Sequence, residues 1–181
     1  RNSPLRRLRE RMGLGLQDSF MFVGYSADNI RLHGNYADVA VESAAQFVNA
    51  DGFITDLEGG YDAKVIEGGS TFSTGEKQLL SFSRTILRDP KILILDEATA
   101  NIDTETEKKI QQGLQNMRKG RTTIIIAHRL STIRDADRIY VLRHGRIIEE
   151  GNHDSLIAEG GIYHDMYQLQ TFQEKGEEDG E

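Results

Sequence analysis

The sequence predicts an α/β protein built on a mostly parallel sheet with helices on both faces. Three observations carry this. Two short apolar runs, residues 92–95 and 124–127, are each bounded by polar or turn-forming residues, as buried strands are. Stretches with helical spacing of apolar residues separate them. Strand and helix patterns alternate along the chain, which is the pattern of a parallel sheet with crossover helices.

Residues 4–11 read as the end of a helix and 12–16 as a short strand holding two glycines. Over 37–50, Val41, Ala44, Ala45 and Val48 recur at helical spacing. Residues 59–70 read as a glycine-rich loop. A helix over 76–87 is stopped by Asp89 and Pro90. The run 92–95 then predicts a strand buried on both faces, and 122–127 a second one. Between them, 104–118 is helical, with Ile110, Leu114 and Met117 on one face and Thr104 and Glu107 spaced as a capping box. Residues 138–142, 144–145 and 146–149 read as strand, turn and strand, and 155–158 and 162–169 as closing helices.

Composition narrows the function classes. The chain has 181 residues, 38% hydrophobic and 28% charged, with a mean hydropathy of −0.50. That is globular composition, and no apolar run approaches the ~20 residues of a membrane span. There is no cysteine, hence no disulfide or thiolate metal site. The net charge of −7 argues against a nucleic-acid partner, which needs clustered Lys and Arg. Arginines crowd the first eleven residues. Residues 174–181 carry five acids against Lys175 and read as an acidic, disordered tail.

In an open parallel sheet, ligands bind beyond the carboxyl ends of the strands. Residues 92–95 lead into Asp96 and Glu97, 122–127 into His128, and 12–16 into Gln17 and Asp18. A metal-binding carboxylate, a general base, an imidazole and an amide on one edge suit phosphoryl transfer to water. Ser73, Thr74, Gly75 and Glu76 open the helix that precedes 92–95. They read both as a capping box, Ser73 with Glu76, and as an anion site with free N–H groups and a glycine. A phosphate-cradling loop needs Gly-Lys followed by Ser or Thr. None of the 18 glycines is followed by Lys, so this sequence does not supply that loop.

These residues resemble the nucleotide-binding domain of ATP-binding cassette (ABC) transporters, and most of all exporter-type half-transporters. Residues 71–80 (TFSTGEKQLL) resemble the signature region, and 91–97 (KILILDE) Walker B with its catalytic glutamate. Residues 100–103 (ANID) are similar to the D-loop and 126–132 (IAHRLST) to the histidine switch. Residues 16–20 (LQDSF) are similar to the Q-loop, 65–69 (VIEGG) to the X-loop, and 145–153 (GRIIEEGNH) to exporter sequence.

The resemblance implies a P-loop NTPase-like domain over 1–173, truncated at its N-terminus, with a helical signature subdomain at about 25–88. It implies ATP and Mg²⁺ as ligands. Asp96 and Gln17 would hold the metal, and Glu97, His128 and Gln17 would act in catalysis. Ser73, Thr74, Gly75, Glu76 and Asp103 would contact nucleotide. It further implies a second such domain, like or unlike, that sandwiches ATP, a transmembrane domain, and a place at the cytoplasmic face of the cell membrane, the fragment itself being soluble. The implied function is ATP hydrolysis coupled to export of substrates such as drugs or lipids, and the 181-residue chain alone is expected to be inactive. Phe72, Thr74 and Glu76 stand where the family has Leu, Gly and Gln. A catalytically silent sandwich partner and a DNA-repair or chromosome-maintenance ATPase are the alternatives. The second would bring long heptads and a basic face, which the sequence lacks.

Overall fold

The computed structural model describes residues 8–9, 11–15, 20–32, 34–66, 72–96, 102–127 and 130–178. The chain divides into two units, Arg1–Ile126 and Ala127–Glu181.

In the first unit, strands β1 (Met12–Gly15), β4 (Ile92–Asp96) and β5 (Thr122–Ile126) form a parallel sheet in the order β1-β4-β5. Two-residue strands β2 (Gly24–Tyr25) and β3 (Lys64–Val65) pair antiparallel beside it in sequence. Helices α1 (Ser26–Arg31), α2 (Asp38–Phe47), α3 (Asp51–Thr55), α4 (Thr74–Leu87) and α5 (Thr104–Arg118) complete the unit, with a short 3₁₀ turn at Gly60–Asp62. The segment read as a continuous loop over 59–70 thus contains a turn of helix and a strand. Elements of two or three residues are too short to leave a periodic pattern.

Helix α4 is the centre of this unit. It packs against α1, α2, α5 and β1, so Leu79, Leu80, Ser81, Phe82 and Ser83 are all buried although they span more than one face. Each fully buried leucine contributes roughly 1.5–3 kcal/mol. Ile54, Val41, Val48, Leu93, Leu95, Ile110, Leu114 and Met117 join it in one core.

The strands are not buried on both faces. Leu93 and Leu95 are fully buried, but Ile92 and Ile94 are only half-buried. On the same face, Leu14, Ile94 and Ile124 stand side by side in register, and Leu14, Ile124 and Ile126 are more than half exposed. A continuous apolar run predicts two-sided burial; Leu14, Ile124 and Ile126 stay exposed instead.

The start of α5 also differs. Asp103, not Thr104, is the N-cap: its backbone is extended and its carboxylate accepts from the Thr106 N–H at 2.9 Å. Both side chains can cap, and the helix begins one residue earlier than a Thr104 cap requires.

In the second unit, α6 (Leu130–Arg134) precedes the antiparallel hairpin of β6 (Ile139–Arg143) and β7 (Arg146–Gly151). His144 and Gly145 both have positive φ, the two-residue turn that matches strand twist. Helices α7 (His153–Glu159) and α8 (Ile162–Glu178) follow. Asn152 and Ser155 cap α7 reciprocally. The Glu149 carboxylate accepts from the backbone N–H groups of Ile162 (2.6 Å) and Tyr163 (2.9 Å), tying β7 to the first turn of α8. Helix α8 continues to Glu178, into the segment 174–181 that the sequence alone reads as an acidic tail.

Candidate functional site

Strands β1, β4 and β5 run the same way, so their carboxyl ends share one edge. Asp96 closes the central strand, paired with Ile126, while Leu95 lies between Gly15 and Ile125. Asp96 is half-buried, and no hydrogen bond or ion pair reaches its carboxylate from the described residues. Gln17, Glu97 and His128 follow β1, β4 and β5 in the sequence and lie outside the described residues. No cluster of three or more metal-ligating side chains occurs among the described residues.

The start of α4 is described in full. Ser73 Oγ accepts from the Glu76 N–H at 3.2 Å, and Glu76 Oε2 accepts from the Ser73 N–H at 2.7 Å. This is the capping box read from the sequence. It leaves the N–H groups of Thr74 and Gly75 without an acceptor among the described residues, as the first turn of a helix does. Ser73 and Thr74 are exposed, whereas Gly75 is buried. A Cβ on Gly75 would collide with the γ-methyl of Thr106 and lie 3.2 Å from Ile102 Cγ2. The glycine therefore admits α5, and its missing side chain is explained by helix packing. Phe72 is also a packing residue: it is buried, edge-on to Phe53 at 6.0 Å.

Asp103 reaches the same place from the other side. The Thr106 backbone N–H, and then its hydroxyl, hold the Asp103 carboxyl below its ordinary range. Thr106 thus touches the first turns of both α4 and α5.

Two residues that no motif points to organise the neighbouring segment. Arg84 of α4 and buried Asn29 of α1 hold the main chain of residues 20–25. Their partners are mostly backbone carbonyls, which carry no residue-type signal. The held segment exposes Phe20, Phe22, Val23 and Tyr25.

A parallel sheet whose central strand ends in an aspartate without a partner among the described residues suits a nucleotide-binding α/β domain. The comparisons identify which one. The sequence model of the ABC transporter family matches residues 2–100, and the chain belongs to that family. A Streptococcus pneumoniae protein named as an ABC transporter ATP-binding protein, exp8, is 58% identical over 164 residues, covering 91% of this chain and 28% of the relative. The ATP-dependent lipid A-core flippase of Syntrophus aciditrophicus is 44% identical over 183 residues, 99% of this chain and 30% of the relative. Among solved structures, a bacterial Atm1-family ABC exporter with ATP bound superposes with a TM-score of 0.80 at 40% identity, over 90% of this chain and 28% of that one. The chain spans under a third of the length of these relatives. Among the described residues, no helix is long and apolar enough to cross a membrane.

Proposed function

We propose that this chain is part of the ATP-binding and ATP-hydrolysing domain of an ABC exporter. ATP hydrolysis there drives export of substrates such as drugs or lipids. The observation that carries the reading is the half-buried Asp96 carboxylate, unpaired among the described residues, at the end of the central parallel strand. The likeness to an exporter with ATP bound supports it.

Asp96 fits Mg²⁺: it is a hard oxygen donor with its lone pairs free of described partners, and Mg²⁺ takes one or two carboxylates beside phosphates and water. When bound, such an ion would neutralise charge on the phosphates. Gln17 would help to hold the metal and the attacking water. Glu97 accepts the proton of that water and aims its oxygen at the γ-phosphorus, while His128 donates to a γ-phosphate oxygen. On the opposite face of a sandwich, the exposed Ser73 hydroxyl and the N–H groups of Thr74 and Gly75, without acceptors among the described residues, bind the γ-phosphate held by a second domain. Asp103 fixes the neighbouring helix start against that turn.

The partners in this reading are a second ATP-binding domain, like or unlike, and a transmembrane domain, with the chain at the cytoplasmic face. In a full-length transporter carrying this chain, Glu97→Gln is expected to cut ATP hydrolysis by ~10² or more with ATP binding retained. An unchanged rate, where this site is the only competent one, would show that Glu97 is not the base.

A further inference from the structure

Arg84 belongs to none of the motifs above. It lies in the third turn of α4, whose first turn follows Ser73. Its guanidinium donates to the Phe20 carbonyl at 2.8 Å, to the Asn29 carbonyl, and to Asn29 Oδ1 at 3.0 Å, and it lies 3.3 Å from Met21 Sδ. Asn29 in turn accepts from the Phe22 N–H at 2.8 Å, and its amide donates to the Phe22 and Tyr25 carbonyls at 2.9 and 3.1 Å. Together the two residues grip the backbone of 20–25 at Phe20, Phe22 and Tyr25.

This is a costly way to stabilise a fold. Arg84 is half-buried, and desolvation, followed by repulsion from Arg88, lowers its pKa to about 10. It stays charged at neutral pH, yet no carboxylate among the described residues pairs with it. An apolar residue of similar volume commonly stabilises such a position as well or better. What an apolar residue lacks is the planar fork, which fixes two carbonyls from different segments in one geometry. The held segment starts three residues after Gln17 and presents an exposed apolar face, Phe20, Phe22, Val23 and Tyr25.

We infer that Arg84 is a positioning residue that couples the helix bearing Ser73 to segment 20–25, so that a nucleotide-driven shift of α4 moves that segment with it. The inference rests on the proposed nucleotide role of the α4 start.

Amide hydrogen exchange of a full-length transporter carrying this chain tests it, at residues 20–25 and 73–77, without nucleotide and with Mg-ATP, in a Glu97→Gln background. In the parent, exchange slows at both segments when Mg-ATP is added. Arg84→Lys keeps the charge but loses the fork. It is expected to retain slowing at 73–77 while the ATP-dependent slowing at 20–25 falls by about fivefold or more. Met21→Leu, which removes only the sulfur contact, is expected to behave as the parent. Full ATP-dependent slowing at 20–25 in Arg84→Lys, or its loss in Met21→Leu, overturns the inference. If Arg84→Lys does not fold, Arg84→Gln takes its place; failure of both to fold while Met21→Leu folds makes Arg84 a structural residue and also overturns it. Absence of any ATP response at 73–77 in the parent overturns the nucleotide reading itself, an outcome that does not depend on the Arg84 variants.

Discussion

The γ-methyl of Thr106 fills the space that a side chain at Gly75 would need. The first turn of α4 therefore rests directly on the first turn of α5, and Asp103, which caps α5 through the Thr106 N–H, is part of the same contact. Gly75→Ala gains at most ~1 kcal/mol of helix propensity. Overpacking outweighs it, and a net loss of about 1–2 kcal/mol is expected, because both helix starts are pinned by caps. Thr106→Ser removes the methyl and keeps the hydroxyl, so the double variant should recover most of that loss. Denaturant midpoints of the four proteins form the test; equal losses with and without the methyl would show that this contact is not the cause.

Much of this arrangement is legible in the sequence, and what is not has physical reasons. The Ser73 and Glu76 box is visible because its spacing is fixed by one helical turn, and the structure shows both bonds. The hairpin at His144 and Gly145 is visible because few residue pairs accept two positive φ angles. The choice between Asp103 and Thr104 as cap is not visible, since adjacent residues of the same capping class differ only in backbone angle. The half-exposed faces of Ile124 and Ile126 are hidden as well, because an apolar run records a preference for burial and not what covers it. Arg84 and Asn29 escape because they bind main-chain atoms. For the candidate site, sequence order puts Asp96 at a strand end, and the parallel register makes that end an edge shared with β1 and β5.

Glu149 offers a test within the second unit. Its two carboxylate oxygens accept the first N–H groups of α8, at Ile162 and Tyr163, where the helix dipole also favours negative charge. Glu149→Gln leaves one acceptor and turns an NH₂ toward the other N–H. A loss of about 1.5–3 kcal/mol is expected, the range for hydrogen bonds to charged groups. Chemical denaturation followed at the tyrosines of α8 measures it, and an unchanged midpoint would show that the cap is dispensable.

Asp103 predicts a pH dependence. Its carboxyl is held below the ordinary range by the Thr106 N–H and hydroxyl. A carboxyl whose folded pKa is depressed contributes stability that is complete above the unfolded value, about 3.9, and is lost as pH falls through the folded value. Asp103→Asn keeps a neutral cap and removes the titrating group. The melting temperature of the parent should therefore exceed that of the variant at pH 7, and the gap should shrink as pH is taken below about 4. A gap that is constant from pH 7 into acid would mean that the charge adds nothing to the cap.

Glu76 sets the helix start and the proposed nucleotide site against each other. Its carboxylate is bonded to the Ser73 N–H, so its charge sits on the same turn as the N–H groups of Thr74 and Gly75. Glu76→Gln keeps an oxygen for that bond, and stability should change by no more than about 0.5 kcal/mol, whereas Glu76→Ala should lose ~1 kcal/mol. The two variants thus separate cap from charge. If a second domain's γ-phosphate docks on this turn, the carboxylate repels it, and Glu76→Gln should strengthen ATP-dependent association of the two domains in a full-length transporter. Part of that gain is Coulombic and Glu76 is only half-buried, so it should shrink from low to high salt as the screening length falls from about 30 Å at 0.01 M to about 8 Å at 0.15 M. Measuring ATP-dependent association at these two ionic strengths decides the matter: a gain that fades with salt places the phosphate beside Glu76, and equal or weaker association in the Gln variant leaves Glu76 as a cap alone.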